Sequence, residues 1–416
     1  MAFPHRPRSD EFEEDLILND ITRQFIRENL SADVPTLALK KAPVGTDVSL
    51  ALRQIEARQL LRKKVPSWSE NEELLFPAHL SIEQCSSEAA AKYKADLLKG
   101  QSFADLTGGF GIDTYFVSQQ FHQADYVERQ AELCDLARHN FAVLNADVKV
   151  WNETAEAYLN HCESKDCIFI DPARRDEYGR KTVSISDCTP DVTALQDLLL
   201  EKAGKVMVKL SPMLDISKAL EELRHVKEVH VVAVAHECKE LDVVLERGWQ
   251  GEPQFVCVNL LTEQPELRFT MEEERHCSGR LAEKVLDYLY EPNPALMKAG
   301  CYKLLTTRFD VFKLHKNSNL YTSEQYITDF PGRVFKVEGW ASYNKKVKQV
   351  LLSDVEKASI AVRNFPLSVA ELRKALRLAD GDETYLFATT LKGEKKVVIR
   401  TKKAASDETA PLGFQM

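Results

Sequence analysis

Between Ser102 and Leu260, short apolar runs alternate with longer stretches whose apolar residues recur every three or four positions. The runs "SFADL", "ADYVE", "VKVWN", "CIFID", "KVMVKL", "EVHVVAVA" and "PQFVCVNL" predict seven strands. Between them, helices are predicted from about Gly111, over "AELCDLARHNFAVL", "AEAYL", "PDVTALQDLLLEK" and "DISKALEELRH". Thr189 and Pro190 are expected to cap and open the fourth of these. Strands alternating with helices predict a parallel, doubly wound sheet. Upstream, residues 10 to about 64 carry helical spacing, which Pro66 breaks. A further helix is predicted from Ser87 to Leu98, with Ser86 or Ser87 as its cap.

The first strand of the sheet runs into "DLTGGFGIDT", a glycine turn at the carboxyl end of a strand, where doubly wound sheets bind ligands. The dinucleotide fingerprint fails, because Thr114 stands where its third glycine belongs. The phosphate-binding loop fails as well, for want of a Gly-Lys-Ser/Thr ending. Asp105 and Asp113 flank the turn. Two carboxylates there suit a cationic or hydroxyl-rich ligand better than a polyphosphate. Glu128 ends the second strand, where a carboxylate accepts both hydroxyls of a ribose. The fourth strand ends in "FIDPARRDEYGRK", which sets Asp171 and Pro172 at its tip as a second pole. Proline lacks an amide donor and keeps nearby carbonyls available as acceptors.

The chain's 416 residues predict two or three domains, and 44% apolar content is ordinary for a globular protein. No run of eighteen apolar residues occurs, so no membrane span is expected, and the N-terminus lacks an apolar signal core, so a cytoplasmic location is expected. Nine scattered cysteines without a C-x-x-C pair read as reduced thiols, with no metal site expected. The net charge is −9, yet residues 330–404 hold sixteen Lys+Arg against eight Asp+Glu. This asymmetry points to a C-terminal module with a partner of its own.

Together "DLTGGFGIDT", "YVERQ" and "FIDPAR" resemble the class I S-adenosylmethionine-dependent methyltransferases over roughly residues 83–262. The helix "SSEAAAKYKADLL" resembles the element that precedes the glycine strand in RNA guanine-N2 methyltransferases. "YLYEPNPALMKAG…KLHKNSNLYTS" resembles the ferredoxin-like insert of a bacterial methyltransferase group, and "RNFPLSVAELRKALRLADGDETYLFATTLKGEKKVVIR" its THUMP-like C-terminal domain. The resemblance implies an α/β fold: a Rossmann-like seven-stranded methyltransferase sheet, with an N-terminal helical region and small C-terminal α+β domains. The expected divisions are 1–80 for the helices, 81–265 for the methyltransferase domain, 266–330 and 331–405 for the two small domains, and 406–416 for a tail.

The resemblance further implies S-adenosyl-L-methionine as cofactor. Gly108, Gly109 and Gly111 would let the backbone approach its methionine part, with Thr107, Asp113 and Thr114 in the same turn. Asp105 would take the ammonium, directly or through water. Glu128, followed by Arg129, would take the ribose, and Thr154 and Ala155 would pass the adenine. Amine methyltransferases acting on nucleobases carry Asp/Asn-Pro-Pro and an aromatic; here Ala173 and Arg174 replace the last two. Arginine can stack on a base through its guanidinium plane. Asp171 is the principal catalytic candidate, with Pro172 and Arg174 beside it, and its role is to orient the attacking atom. Carbon methylation of pyrimidines needs a cysteine nucleophile. None follows the fourth or fifth strand; Cys167 opens the fourth and Cys188 lies downstream.

Asp176 and Tyr178 in the loop after Arg174 are either substrate contacts or part of a solvated loop. His236 and Glu237 are either a second substrate contact or a polar strand end. The basic clusters "NKKVK", "LRKALR" and "KGEKKVVIRTKK", with Trp340, Tyr343 and Phe365 among them, suit RNA phosphates. Methylation of a nucleobase nitrogen in tRNA or rRNA is therefore the leading expectation, with no DNA or membrane partner. A methyltransferase for a protein or small molecule, its C-terminal module serving oligomerisation, is the alternative. A non-catalytic binder is a third.

Overall fold

The computed structural model describes residues 18–77, 79–174 and 184–404. The chain divides into two compact units. The first comprises Met1–Leu210, Leu214–Val226 and Val243–Gln250; the second comprises Ser211–Met213, Lys227–Asp242 and Gly251–Met416.

The first unit opens with helices α1 (Asp20–Glu28), α2 (Val34–Ala38), α3 (Val48–Lys64), α4 (Pro66–Ser69), α5 (His79–Gln84) and α6 (Glu88–Leu97). Asp47 caps α3 by accepting the Leu50 N–H at 2.9 Å. Two polar residues on the buried side of α3 then hold the irregular stretch behind Pro66. Gln54 exchanges hydrogen bonds with the backbone of Phe76, and Arg58 donates to the carbonyls of Glu72 and Leu74. Burial pushes the Arg58 guanidinium down to about 10. Ser87, not Ser86, caps α6. This leaves the Ser86 hydroxyl for another task.

The alternation then proceeds as expected through β1 (Ser102–Asp105), α7 (Ile112–Ser118), β2 (Gln123–Val127), α8 (Ala131–Val143), β3 (Val148–Trp151), α9 (Ala155–His161) and β4 (Lys165–Ile170). Next, the two-residue strands β5 (Ala173–Arg174) and β6 (Cys188–Thr189) pair antiparallel. Helix α10 (Val192–Lys202), β7 (Ala203–Leu210) and α11 (Ile216–Glu222) follow. The expected cap of α10 is corrected: Asp191 caps it, accepting the N–H groups of Thr193 and Ala194, while Thr189 pairs with Ala173. An aspartate can span the first turn with one oxygen, and here it outcompetes the preceding Thr-Pro.

β1 lies between β2 and β4, and β3-β2-β1-β4-β7 are parallel neighbours. Chain order reverses on either side of β1. That makes the carboxyl ends of β1, β2 and β4 a topological switch point, where such sheets open a crevice. Beneath it Trp68 meets Phe110 edge-on at 5.1 Å, within a core that also holds Phe76, Phe103, Phe169 and Met207.

The large sheet has nine strands in the order β11-β10-β8-β9-β7-β4-β1-β2-β3, two more than the sequence pattern predicts. The additions are β9 (Glu237–Glu246) and β11 (Leu267–Thr270), beside the expected β8 (Val226–Val234) and β10 (Gln254–Leu260). β9 escapes the pattern because Glu240 and Asp242 are buried in it, 4% and 0% exposed, so polarity does not report burial there. Only Ala235 and His236 separate β8 from β9, and both have positive φ, +46° and +69°. Left-handed residues in a two-residue link are the mark of a tight hairpin turn.

The second unit continues through α12 (Met271–His276) into β12 (Tyr288–Pro292), α13 (Pro294–Ala299), α14 (Leu305–Arg308), β13 (Phe312–His315), β14 (Ser318–Ser323), β15 (Gly332–Ser342), α15 (Val347–Leu351), β16 (Ser359–Arg363), α16 (Val369–Leu376), β17 (Tyr385–Leu391) and β18 (Lys395–Lys403). Its seven-stranded sheet runs β13-β14-β12-β15-β18-β17-β16. β12 pairs with β15 over five residues, so backbone hydrogen bonds cross the expected division near residue 330. Leu289, Leu320, Phe335, Phe387 and Ile399 share one core across the same point.

Candidate active site

The glycine turn is built by packing as much as by backbone geometry. A Cβ on Gly108 would lie 2.2 Å from the Tyr126 ring, so the ring of β2 demands glycine. The Tyr126 hydroxyl donates to the Gly109 carbonyl at 2.5 Å. Gly109 and Gly111 have φ of +53° and +90°; Gly111 caps α7. A Cβ on Gly109 would meet nothing nearer than the Thr107 carbonyl at 3.7 Å. The turn is therefore open at Gly109 and closed by protein at Gly108.

Glu128 bridges the turn to the end of β2. Its Oε2 accepts the Gly109 N–H at 3.1 Å and its Oε1 accepts the Gln130 N–H at 2.9 Å. It is 8% exposed. Each oxygen retains a lone pair, as a ribose diol would need. Arg129 beside it is exposed.

Asp105 is 1% exposed and fastens the turn internally. It accepts the Thr114 hydroxyl at 2.6 Å and the Thr107 N–H at 3.0 Å. Burial pushes its carboxyl up to about 7, against the pull of those two hydrogen bonds and with the help of the nearby Asp113 and Asp171 charges. The two carboxylates flanking the turn thus differ in kind. Asp113 is ion-paired to Lys94 at 3.1 Å and to Lys209 at 3.5 Å, and accepts the Ser86 hydroxyl at 2.7 Å. Burial opposes its ionisation, but the two ammonium groups and Ser86 prevail and hold it below the usual carboxylate range. Its charge is balanced inside the protein, so it is not a bare anion facing a ligand.

The second pole is tied to the first. The Asp171 N–H donates to Thr107 Oγ1 at 2.6 Å, and the Leu106 N–H donates to the Phe169 carbonyl at 3.0 Å. Asp171 Oδ2 accepts from Lys209 Nζ at 2.5 Å. Pro172 is buried, and Ala173 and Arg174 form the short ladder after it. Thr154 caps α9 with its hydroxyl and Ala155 is buried, so any contact with a base there would come mainly from the backbone.

The structure therefore brings together Asp105, Thr107, the three glycines, Asp113, Thr114, Glu128, Asp171 and Pro172. It adds Ser86, Lys94 and Lys209, which sequence reasoning did not single out as site residues. A signal was present: Lys94 falls on the same helical face as Ala90, Ala91 and Ala95, and Lys209 sits inside the buried run Val206–Leu210 of β7. A lysine inside a core pattern needs partners. Asp176 and Tyr178 lie outside the described residues. His236 is a turn residue whose N–H donates to Asn259 Oδ1 at 3.0 Å. Cys167 and Cys188 are both 2% exposed, and burial pushes the Cys167 thiol up to about 11, which suits neither to nucleophilic attack. Among the described residues no group of three or more His, Cys, Asp or Glu could hold a metal ion. No described helix is long and apolar enough to cross a membrane.

Comparison with known proteins bears on both units. The profile of a ferredoxin-like domain matches residues 288–331, and that of a THUMP domain-like module matches residues 332–403. A crystal structure from Porphyromonas gingivalis W83, provisionally named a methyltransferase, is 36% identical. It covers 94% of this chain and 98% of its own, with a TM-score of 0.84. An rRNA methylase from Streptococcus thermophilus is 15% identical over 39% of this chain and 95% of its own, at a TM-score of 0.29. TrmK of M. capricolum, solved with S-adenosyl-homocysteine, is 9% identical over 42% and 71%, at 0.30. None of the curated proteins matches the chain.

Proposed function

Because the chain belongs to the methyltransferase family of its Porphyromonas gingivalis relative, with ferredoxin-like and THUMP-like modules behind a class I S-adenosylmethionine-dependent domain, we propose that it methylates a nucleobase nitrogen in structured RNA, tRNA or rRNA. The observation that carries the reading is the link between the two poles of the crevice. Asp171 at the tip of β4 is anchored by its N–H to the glycine turn and by one oxygen to Lys209. A carboxylate fixed there is an acceptor for the N–H of an amine.

The residues fit S-adenosylmethionine. The open turn at Gly109 admits its amino-acid part, and Glu128 offers acceptors to the ribose hydroxyls. Asp105, being buried, would reach the ammonium through water and backbone carbonyls. Thr154 and Ala155 would border the adenine. When bound, this cofactor supplies a methyl group already activated on a sulfonium. The chain's remaining task is positioning, which in-line transfer rewards most. Asp171 orients the amine, Pro172 leaves neighbouring carbonyls uncommitted by an amide of its own, and Arg174 would stack on the base.

The RNA reading rests on the cations of the second unit. Many are engaged internally: Arg333 and Arg363 with Glu291, Arg373 with Asp380, and Arg400 with Asp354 and Glu338. Those pairs leave fewer cations for RNA phosphates. Lys345, Lys346, Lys374 and Arg377, however, are exposed and carry no ion pair among the described residues. The Lys348 ammonium donates to the Arg377 carbonyl at 3.2 Å, which draws the end of α16 to α15 and gathers these cations. Lys395 lies over the Trp340 ring at 4.9 Å, a cation beside a stacking surface.

The test is mass spectrometry of modified nucleosides from a strain lacking the gene, with readdition of the purified enzyme and labelled cofactor. One methylated nucleoside should disappear from the strain's RNA and return on readdition. An unchanged nucleoside profile, with label entering protein or small molecules, would overturn the RNA reading.

A further inference from the structure

Lys209 lies one residue before the carboxyl end of β7. Among the described residues its ammonium meets Asp171 Oδ2 at 2.5 Å, Ser86 Oγ at 3.1 Å and Asp113 Oδ2 at 3.5 Å. Behind it, the Lys94 ammonium lies 3.1 Å from Asp113 Oδ1 and 3.2 Å from Ser86 Oγ. Among the described residues two cations thus face two carboxylates in one cluster, which is how charges persist out of water. Exposure rises along it: the Lys94 side chain is 0% exposed, those of Asp113 and Lys209 are 11%, and that of Asp171 is 36%. The cluster is rooted in the core and opens at Asp171.

Resting on the substrate-side reading of Asp171, we propose that Lys209 is a positioning residue for methyl transfer, holding Oδ2 of Asp171 so that Oδ1 is presented to the substrate amine. A carboxylate at a strand tip has several rotamers of similar energy. Here its backbone is fixed by Thr107 and one oxygen by an ammonium that is itself held by Ser86 and Asp113. A reacting group supported in this way stays within the narrow geometry that transfer requires. With Oδ2 engaged by the ammonium at 2.5 Å, Oδ1 of Asp171 is left to accept a hydrogen bond from the amine. Ser86 and Asp113 extend the support to the first turn of α7, which starts at the glycine turn. Lys94 and Ser86 hold Asp113 on the side of the glycine turn, while Lys209 reaches Asp171 on the substrate side.

The experiment uses the full chain, RNA extracted from a strain lacking the gene, and S-adenosylhomocysteine as the binding probe. Lys209→Met should lower kcat about a hundredfold, while KM for RNA and Kd for S-adenosylhomocysteine stay within about threefold. Lys209→Arg should restore kcat to within about tenfold of the natural enzyme. Asp171→Asn combined with Lys209→Met should be no slower than the worse single variant, since the two act as a unit. Full turnover in folded Lys209→Met, losses that multiply in the double variant, or a parallel fall in cofactor-product affinity would each overturn the proposal. If Lys209→Met does not fold, Asp113→Asn/Lys209→Met removes one charge of each sign and takes its place. If the natural enzyme labels no RNA, the RNA reading falls. The crystal structure of the Lys209→Met protein then decides: a turned Asp171 side chain supports the positioning role, and an unchanged one refutes it.

Discussion

Asp105, Glu128 and Asp171 stand at the carboxyl ends of β1, β2 and β4 with different partners, and each makes a separate prediction. Burial pushes the Asp105 carboxyl up to about 7 in the folded chain, against about 3.9 unfolded. The folded state therefore holds the extra proton between those values, and stability falls as pH rises from about 4 to 7. Asp105→Asn should abolish that component. Its unfolding free energy relative to the natural chain should climb by on the order of 3–4 kcal/mol across the window and level off above it. Urea denaturation at several pH values reads this, and a constant gap would mean that Asp105 does not titrate there. Glu128→Ala should weaken binding of S-adenosylhomocysteine by about 1–3 kcal/mol, the cost of lost charged hydrogen bonds. Calorimetry showing unchanged affinity would place the ribose elsewhere. Asp171→Ala should leave that affinity within a few-fold and lower methyl transfer on the order of a hundredfold. The types and positions of these acids are legible in the sequence. Their protonation and partners are not, because Lys94, Lys209 and Ser86 reach them from elements distant along the chain.

At the scale of elements, hydrophobic patterning finds strands whose buried residues are apolar and misses those that bury polar ones. β1, β2 and β4 stand out as apolar runs between helices. β9 does not, because it carries Glu240 and Asp242 into the core. Its hairpin link to β8 makes a test. Ala235 and His236 both take left-handed conformations that disfavour residues with a Cβ. Replacing the pair by Asn-Gly should raise stability by about 1 kcal/mol, measured by thermal or urea unfolding. A loss instead would show that the His236 contact with Asn259, at 3.0 Å, outweighs the backbone gain. The cap of α10 teaches the same lesson: both Thr189 and Asp191 are good cap residues, and only the geometry of the chain's return beside Ala173 selects between them.

At the scale of the molecule, charge is distributed to a purpose that composition shows only in part. A net +8 in residues 330–404 suggests a polyanion partner, but ion pairs with Glu291, Glu338, Asp354 and Asp380 absorb much of it. With three or four phosphate contacts from Lys345, Lys346, Lys374 and Arg377, log affinity for RNA should fall against log salt with a slope of about −2 to −4. Replacing Lys345, Lys346 and Arg377 together by Ala should flatten that slope by about 2–3 and leave S-adenosylhomocysteine binding unchanged. Filter binding at several salt concentrations checks it; an unaltered slope would move the RNA elsewhere. What the amino-acid sequence determined by itself was local and ordered along the chain: strand–helix alternation, the glycine turn, and the acids at strand tips. Those follow from backbone preferences and nearest-neighbour spacing. Only the tertiary structure decided that Gly108 is required by Tyr126, that Asp113 is neutralised by two buried lysines, and that the two C-terminal segments share one sheet. Each of these depends on which distant groups exclude water together, and no local pattern records that.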